Sequence, residues 1–292
     1  MITPLIGLVT AAVYGSADFF GGLAAQRRNP VYVSTVAALA GGLILLLATL
    51  VIPGTISAAA IGWGMLGGVA GSLGLTLLYG SLAVGPMSIL SPITAVMSAV
   101  VPMTVGLVRG STLSTAGYLG LGLALVAVVL VGFIPEKGAV RPRLRGLLMA
   151  VGSGSCIGIF YVFINQTPHE AGLIPVATGR LTNAAIMCVV VAVLLLRSRR
   201  RRAHGKGVVT EGEPRPRPWV RLALLAGVID AVGSSLFLLG IRTGDLSVMS
   251  VLTALYPAGT ILLAALVLRE RVAPVQWGGL ALGLVAAVLL GQ

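Results

Sequence analysis

Residues 68–132 recur at 227–291 without a gap, at a constant offset of 159. Twenty-one of the 65 aligned positions are identical, among them Gly68/Gly227, Gly74/Gly233, Ser88/Ser247, Ser91/Ser250, Thr94/Thr253 and Gly120/Gly279. Apolar segments resemble one another by composition, so the glycine and hydroxyl matches in unbroken register carry the weight. A shorter match joins what precedes each copy: Gly7, Leu8, Ala11, Gly15 and Ser16 correspond to Gly146, Leu147, Ala150, Gly154 and Ser155, at an offset of 139. A duplicated unit of apolar segments is the plan of a membrane protein built from internal repeats, and it is common among secondary transporters.

Composition supports that reading. The 292 residues are 57% hydrophobic and 10% charged, against about 25% charged in a soluble domain. Apolar runs long enough to cross about 30 Å of hydrocarbon recur along the whole chain. Ten helical spans are expected, near 2–23, 31–52, 61–83, 87–108, 115–134, 145–165, 173–196, 219–240, 246–268 and 274–291. Punctuation such as Arg27-Arg28-Asn29-Pro30, Pro53-Gly54 and Thr167-Pro168 separates them. The first span lacks a basic n-region and is read as a span rather than a cleaved signal. Cys156 and Cys188 fall inside apolar segments and read as small packing residues.

Five spans are an odd number, so the second half enters the membrane the other way up. The expected fold is all-α and integral to the membrane, ten helices as two inverted five-helix repeats over 1–135 and 145–291. A basic, proline-rich stretch at 198–218 interrupts the second repeat and reads as a flexible linker. Charge bias is an independent test. Of 20 Lys and Arg, 17 lie in or beside the connections after spans 1, 3, 5, 7 and 9. Arg109 and Arg242 lie on the opposite side, and Arg180 lies within a span. The positive-inside rule places the odd connections and the linker in the cytoplasm, and both termini outside a plasma or inner membrane. The same rule accounts for the net charge of +12, so no nucleic-acid partner is expected.

The five-plus-five plan resembles the EamA-type transporters of the drug/metabolite transporter superfamily over nearly the whole chain. The best local match is Tyr256-Pro257, Arg269-Glu270-Arg271-Val272, Gln276-Trp277-Gly278-Gly279 and Gly283, against that family's Pro…Gly-Glu…Gln…Gly pattern. Arg180, five residues after Pro175, resembles the arginine common early in the second helix of the family's repeats. Arg269 departs from the usual glycine, Ser111 stands where Glu270 aligns, and span 2 has no arginine. The resemblance implies a small-molecule transporter in the bilayer, with spans 1, 3, 4, 6, 8 and 9 around a central cavity.

Ionisable groups inside hydrocarbon are costly unless they face a cavity or a partner. Three qualify: Asp18, Arg180 and Asp230. By helical rise Asp18 lies roughly 8 Å from the inner end of its span and Asp230 roughly 14 Å in from Arg221. Arg180 falls roughly 10 Å from the outer end, too high on straight helices for a direct pair with Asp230. The bland role of each acid is a hydrogen bond that glues helices; the functional one is binding a proton or an ammonium group. Tyr14, Tyr79, Phe160, Tyr161, Phe237 and Tyr256 stand near the acids in sequence or repeat position, and any that line a cavity could hold a cation over a ring. Tyr14, Tyr79 and Tyr256 join the three charged residues as candidate binding groups. Pro92, Pro102 and Pro257 fall on corresponding helices and are candidate gate hinges, each freeing a carbonyl four residues earlier.

An enzyme is not expected. Gly152-Ser-Gly-Ser155 superficially resembles an intramembrane protease loop, but both histidines, His169 and His204, lie in connections. No metal, phosphate-loop or cofactor motif is present. The expected function is a secondary exporter of small metabolites, amino acids or cationic drugs by alternating access, with Asp230 exchanging substrate cation for proton and Asp18 assisting. A lipid-linked or nucleotide-sugar carrier on the same scaffold is the alternative. One chain supplies both halves, so a working monomer is expected.

Overall fold

The computed structural model describes residues 2–25, 27–84, 87–110, 114–132, 144–203, 218–267 and 273–290, and these are helices with short connections. The first half contributes α1 (Ile2–Ala25), α2 (Pro30–Val51), α3 (Ala58–Val84), α4 (Met87–Val108) and α5 (Thr115–Gly132). The second contributes α6 (Leu144–Asn165), α7 (Ile174–Ala203), α8 (Pro218–Thr243), α9 (Leu246–Thr253), α10 (Tyr256–Val267) and α11 (Pro274–Leu290). With α9 and α10 taken as one crossing, seven stretches are long and apolar enough to span a bilayer. Three shorter apolar helices, Pro92–Val108, Thr115–Val131 and Pro274–Leu290, complete ten. The protein is an integral membrane bundle of two inverted five-helix repeats.

The main helix contacts cross between halves: α1 packs on α8, α6 on α3, α2 on α7 and α5 on α11. Exchanging repeat-mates turns the α1–α8 contact into the α6–α3 contact, as a two-fold relation between the halves requires. Glycine permits the approach. A Cβ at Gly68 would strike the Gly179 carbonyl, and one at its mate Gly227 would strike the Ala37 carbonyl. Such small-residue contacts replace the hydrophobic drive that helices lack in lipid. Side chains such as Leu43, Leu47 and Leu50 on α2, and Val189, Val193 and Leu196 on α7, face outward. Hydroxyls inside the helices bond back to their own backbone, as Thr10 does to Ile6 and Ser72 to Gly68.

Three expectations need correction. The ninth span is not one helix. Leu255 N–H donates to Leu252 and Ala258 N–H to Leu255, so the chain tightens and breaks at Ala254-Leu255. Pro257 is then the second residue of α10, where its missing N–H costs nothing, whereas Pro92 and Pro102 lie inside a continuous α4. Next, α7 runs through the arginines to Ala203, so the linker does not begin at Ser198; arginine is a good helix former and no glycine or proline intervenes before Gly205. Residues 204–217 and the Arg269–Val272 motif lie outside the described residues. Finally, Cys188 is exposed on the bundle surface rather than packed.

The end of the bundle holding the start of α1 is knit together by its connections. Thr55 N–H donates to the Glu170 carbonyl at 2.8 Å, and Arg242 to the Pro168 carbonyl at 3.2 Å. Gly172, at φ +53°, turns the chain into α7, and Gly54 lies against Ala171 and Gly172 with no space for a side chain.

A charged cavity between the halves

Between the halves lies a cavity of about 120 Å³. Its walls come from α1 (Tyr14, Ala17, Asp18), α2 (Ala37, Ala38), α3 (Gly67 to Leu78), α6 (Ile157, Phe160, Tyr161), α7 (Gly179, Arg180, Asn183), α8 (Ala226, Asp230) and the start of α10 (Tyr256). Helices α2 and α7 therefore belong to the wall. Helix α4, expected there, supplies no lining residue among those described, because it packs behind α6.

Arg180 and Asp230 form an ion pair, contrary to the depth count along straight helices. That count neglected the long arginine stem, which carries its charge well beyond the backbone. The guanidinium arrives from above: its Nη2 also donates to Ser234 Oγ at 2.8 Å, one turn further up α8 than Asp230. Ser234 is the hub of this network. Its hydroxyl accepts from Arg180 and from Tyr14 Oη at 3.3 Å, and donates to the Asp230 carbonyl at 2.9 Å. The bonds tie α1, α7 and α8 together. Satisfying every member matters, because a half-satisfied buried charge network is costly.

Asp18 is different. Among the described residues nothing donates to its carboxylate or pairs with it. Two further polar groups on the cavity wall also have no partner: Asn183 Oδ1 and Tyr256 Oη. Their residues are only 4% and 6% exposed. Tyr161, on the cavity wall, stacks on the buried Phe237 at 4.1 Å between ring centroids.

Of the residues singled out in the sequence, Tyr14, Asp18, Arg180, Asp230 and Tyr256 meet at this one cavity. Tyr79 lies on α3 with its side chain outside the described part. Asn183 and Ser234 escaped notice. Both carry a helical signal: Asn183 follows Arg180 by three residues and Ser234 follows Asp230 by four, each on the same helix face as its charged neighbour.

Ten apolar helices in inverted halves around a buried charged cavity define a membrane transporter. The chain belongs to the EamA-like transporter family, whose model matches residues 144–292. A crystal structure of another protein shares the fold with a TM-score of 0.76 at 16% identity, covering 100% of this chain and 98% of that one. A search among curated proteins returns no match.

Proposed function

We propose that the protein is a secondary transporter that exports small amines by alternating access, in exchange for protons. One observation carries the reading: an internal cavity holds two carboxylates, and only one of them is neutralised by an arginine. Asp230 is occupied by Arg180, so the group that takes the substrate cation is Asp18, and Asp230 serves as the arginine's partner. The lining carries one formal negative charge, from Asp18 and Asp230 against Arg180. That charge disfavours the nucleotide-sugar and lipid-phosphate cargoes of the alternative reading.

Orientation follows from charge bias, with both termini outside and residues 204–217 in the cytoplasm. The hydrogen-bonded end is then the outer one. The cavity's α3 wall runs from Gly67 to Leu78, six residues short of that helix's other end. Both features support an inward-facing state.

A carboxylate that binds either a proton or an ammonium group binds the ammonium less well as pH falls. Proteoliposome flux of a primary amine tests this. Asp18→Asn keeps the size and removes the charge. It is expected to cut flux about 10- to 100-fold, the scale of one charged hydrogen bond, and to abolish the pH dependence that remains. Flux of normal rate and normal pH profile in Asp18→Asn eliminates Asp18 as the coupling group.

A further inference from the structure

Asn183 and Tyr256 do no work in the ion-pair network, yet both belong to the cavity wall, both are almost wholly buried, and each holds a polar atom without a partner. A buried polar group without a partner is destabilising, typically by more than a hydrogen bond returns. Tyr256 stands where the chain breaks between α9 and α10. The repeat-mates are Met97 for Tyr256, at the 159 offset, and Gly41 for Asn183. The second mate follows from packing: Gly68 lies on Gly179 and Gly227 on Ala37, which sets an offset of 142 between α2 and α7. The fold therefore does not require either polar side chain. We infer that Asn183 and Tyr256 form a neutral subsite for a hydroxyl or amide group of the cargo. The substrate is then a monocationic amine bearing one neutral hydrogen-bonding group. A zwitterion fits less well, since its carboxylate could reach Arg180 only by displacing Asp230.

This inference rests on the amine reading above. The test is flux of two probes, phenethylamine and its hydroxylated analogue 2-amino-1-phenylethanol, through proteoliposomes. Wild type is expected to favour the hydroxylated amine about tenfold, the cost of one buried unpaired group. Asn183→Ala and Tyr256→Phe each bring the ratio toward one while phenethylamine still moves. Flux of both amines with an unaltered ratio in both variants, or no preference in wild type, overturns the subsite alone. Flux of neither amine through wild type overturns the subsite and the amine reading together.

A second inference has a separate origin, in the contacts that repeat-mates make. Gly146 of α6 faces Leu90, and Gly154 faces Thr94, Met97 and Ser98 of α4. Their mates on α1 do not face the mates of those residues. Gly7 faces Leu252, where the mate of Leu90 is Met249; Gly15 faces Tyr256, Gly259 and Thr260, where the mates are Thr253, Tyr256 and Pro257. Both glycines show the α1 contact displaced by about three residues, close to one helical turn. The hydroxyls register the displacement. Thr94 Oγ1 shares its proton between the Leu90 carbonyl of its own helix at 3.1 Å and the Ala150 carbonyl of α6 at 3.2 Å. Its mate Thr253 is fully buried and has no partner, although Ala11, the mate of Ala150, lies on the adjoining helix. Thr260 bonds to Gly15 instead.

We infer that the two registers exchange during the transport cycle. In the other state Thr253 donates to Ala11, Thr94 releases Ala150, and the helix break passes from Ala254-Leu255 to its mate Ala95-Val96. Thr→Val substitutions separate the states, since valine keeps the shape and removes the hydroxyl. Thr253→Val leaves the present state intact and weakens the other; Thr94→Val does the reverse. The readout is the labelling rate of a cavity cysteine, Ala226→Cys, in a background with Cys156→Ser and Cys188→Ser, using an impermeant maleimide on vesicles of known orientation. The two valine variants are expected to shift the inner-side rate in opposite directions by about threefold to tenfold, the scale of one hydrogen bond. Thr253→Ser, which retains the hydroxyl, is expected to match the parent. Shifts in the same direction, or none, overturn the exchange.

Discussion

The two long walls of the cavity are repeat-mates that have diverged. On α8 stand Asp230 and Ser234; at the equivalent places on α3 stand Gly71 and Leu75. Arg180 of α7 has Ala38 of α2 as its counterpart, and Asp18 of α1 has Ile157 of α6. All these residues except Ser234 line the same space. What the walls share is the small residues at the crossing points, Gly68 on Gly179 and Gly227 on Ala37. Helix approach is thus a requirement of both copies, while formal charge is confined to the α1–α7–α8 side. Symmetry builds the container, and departure from symmetry makes it selective.

The strongest way to break the contrast is to strip the charged wall. Arg180→Met leaves Asp230 without its counter-charge beside an apolar core. Removing one partner of a buried pair costs about 3 kcal/mol or more, and the side chains here are only 16% and 25% exposed. Thermal unfolding in lipid-detergent micelles, followed by helical circular dichroism, is expected to show a clear loss of stability. Arg180→Met combined with Asp230→Leu is expected to recover most of it, because the charged wall then resembles the α2–α3 wall. An Arg180→Met protein as stable as wild type shows that the pair contributes nothing to holding α7 on α8.

Much of this architecture was legible in the residues. The unbroken 159 offset, the odd number of spans and the segregation of arginines together define an inverted bundle, because each is a pattern along the chain. What escaped was three-dimensional reach. The Arg180–Asp230 pair depends on side-chain length and on where α7 starts beneath Gly172, neither of which a residue count reports. The break at Ala254-Leu255 has no glycine to announce it, and Pro257 marks the start of α10 rather than a kink. The continuation of α7 to Ala203 was hidden by reading charge as disorder. Asn183 was passed over because it is neutral, although a lone amide on an apolar helix face carries the same cost argument as a charge, at smaller size.

A gentler substitution sharpens the contrast from the other side, by giving the plain wall a charge. Gly71→Asp places a carboxylate at the mate of Asp230. Space is available: a Cβ there meets only Phe160, at 3.8 Å, whereas one at Gly68 collides with the Gly179 backbone. No arginine waits across from it, since Ala38 occupies that place, so the new acid stays unpaired and the formal charge of the lining falls from −1 to −2. A second unpaired acid rewards a second positive charge on the cargo. Competition between 1,4-diaminobutane and phenethylamine in proteoliposomes is expected to move toward the diamine by about threefold to tenfold, on the scale of a half-exposed charge pair. Phenethylamine flux on its own is expected to change little, because Asp18 is untouched. If the preference between the two amines stays where it was, the glycine wall does not face the cargo, and the polarity of α7 and α8 is not what selects it.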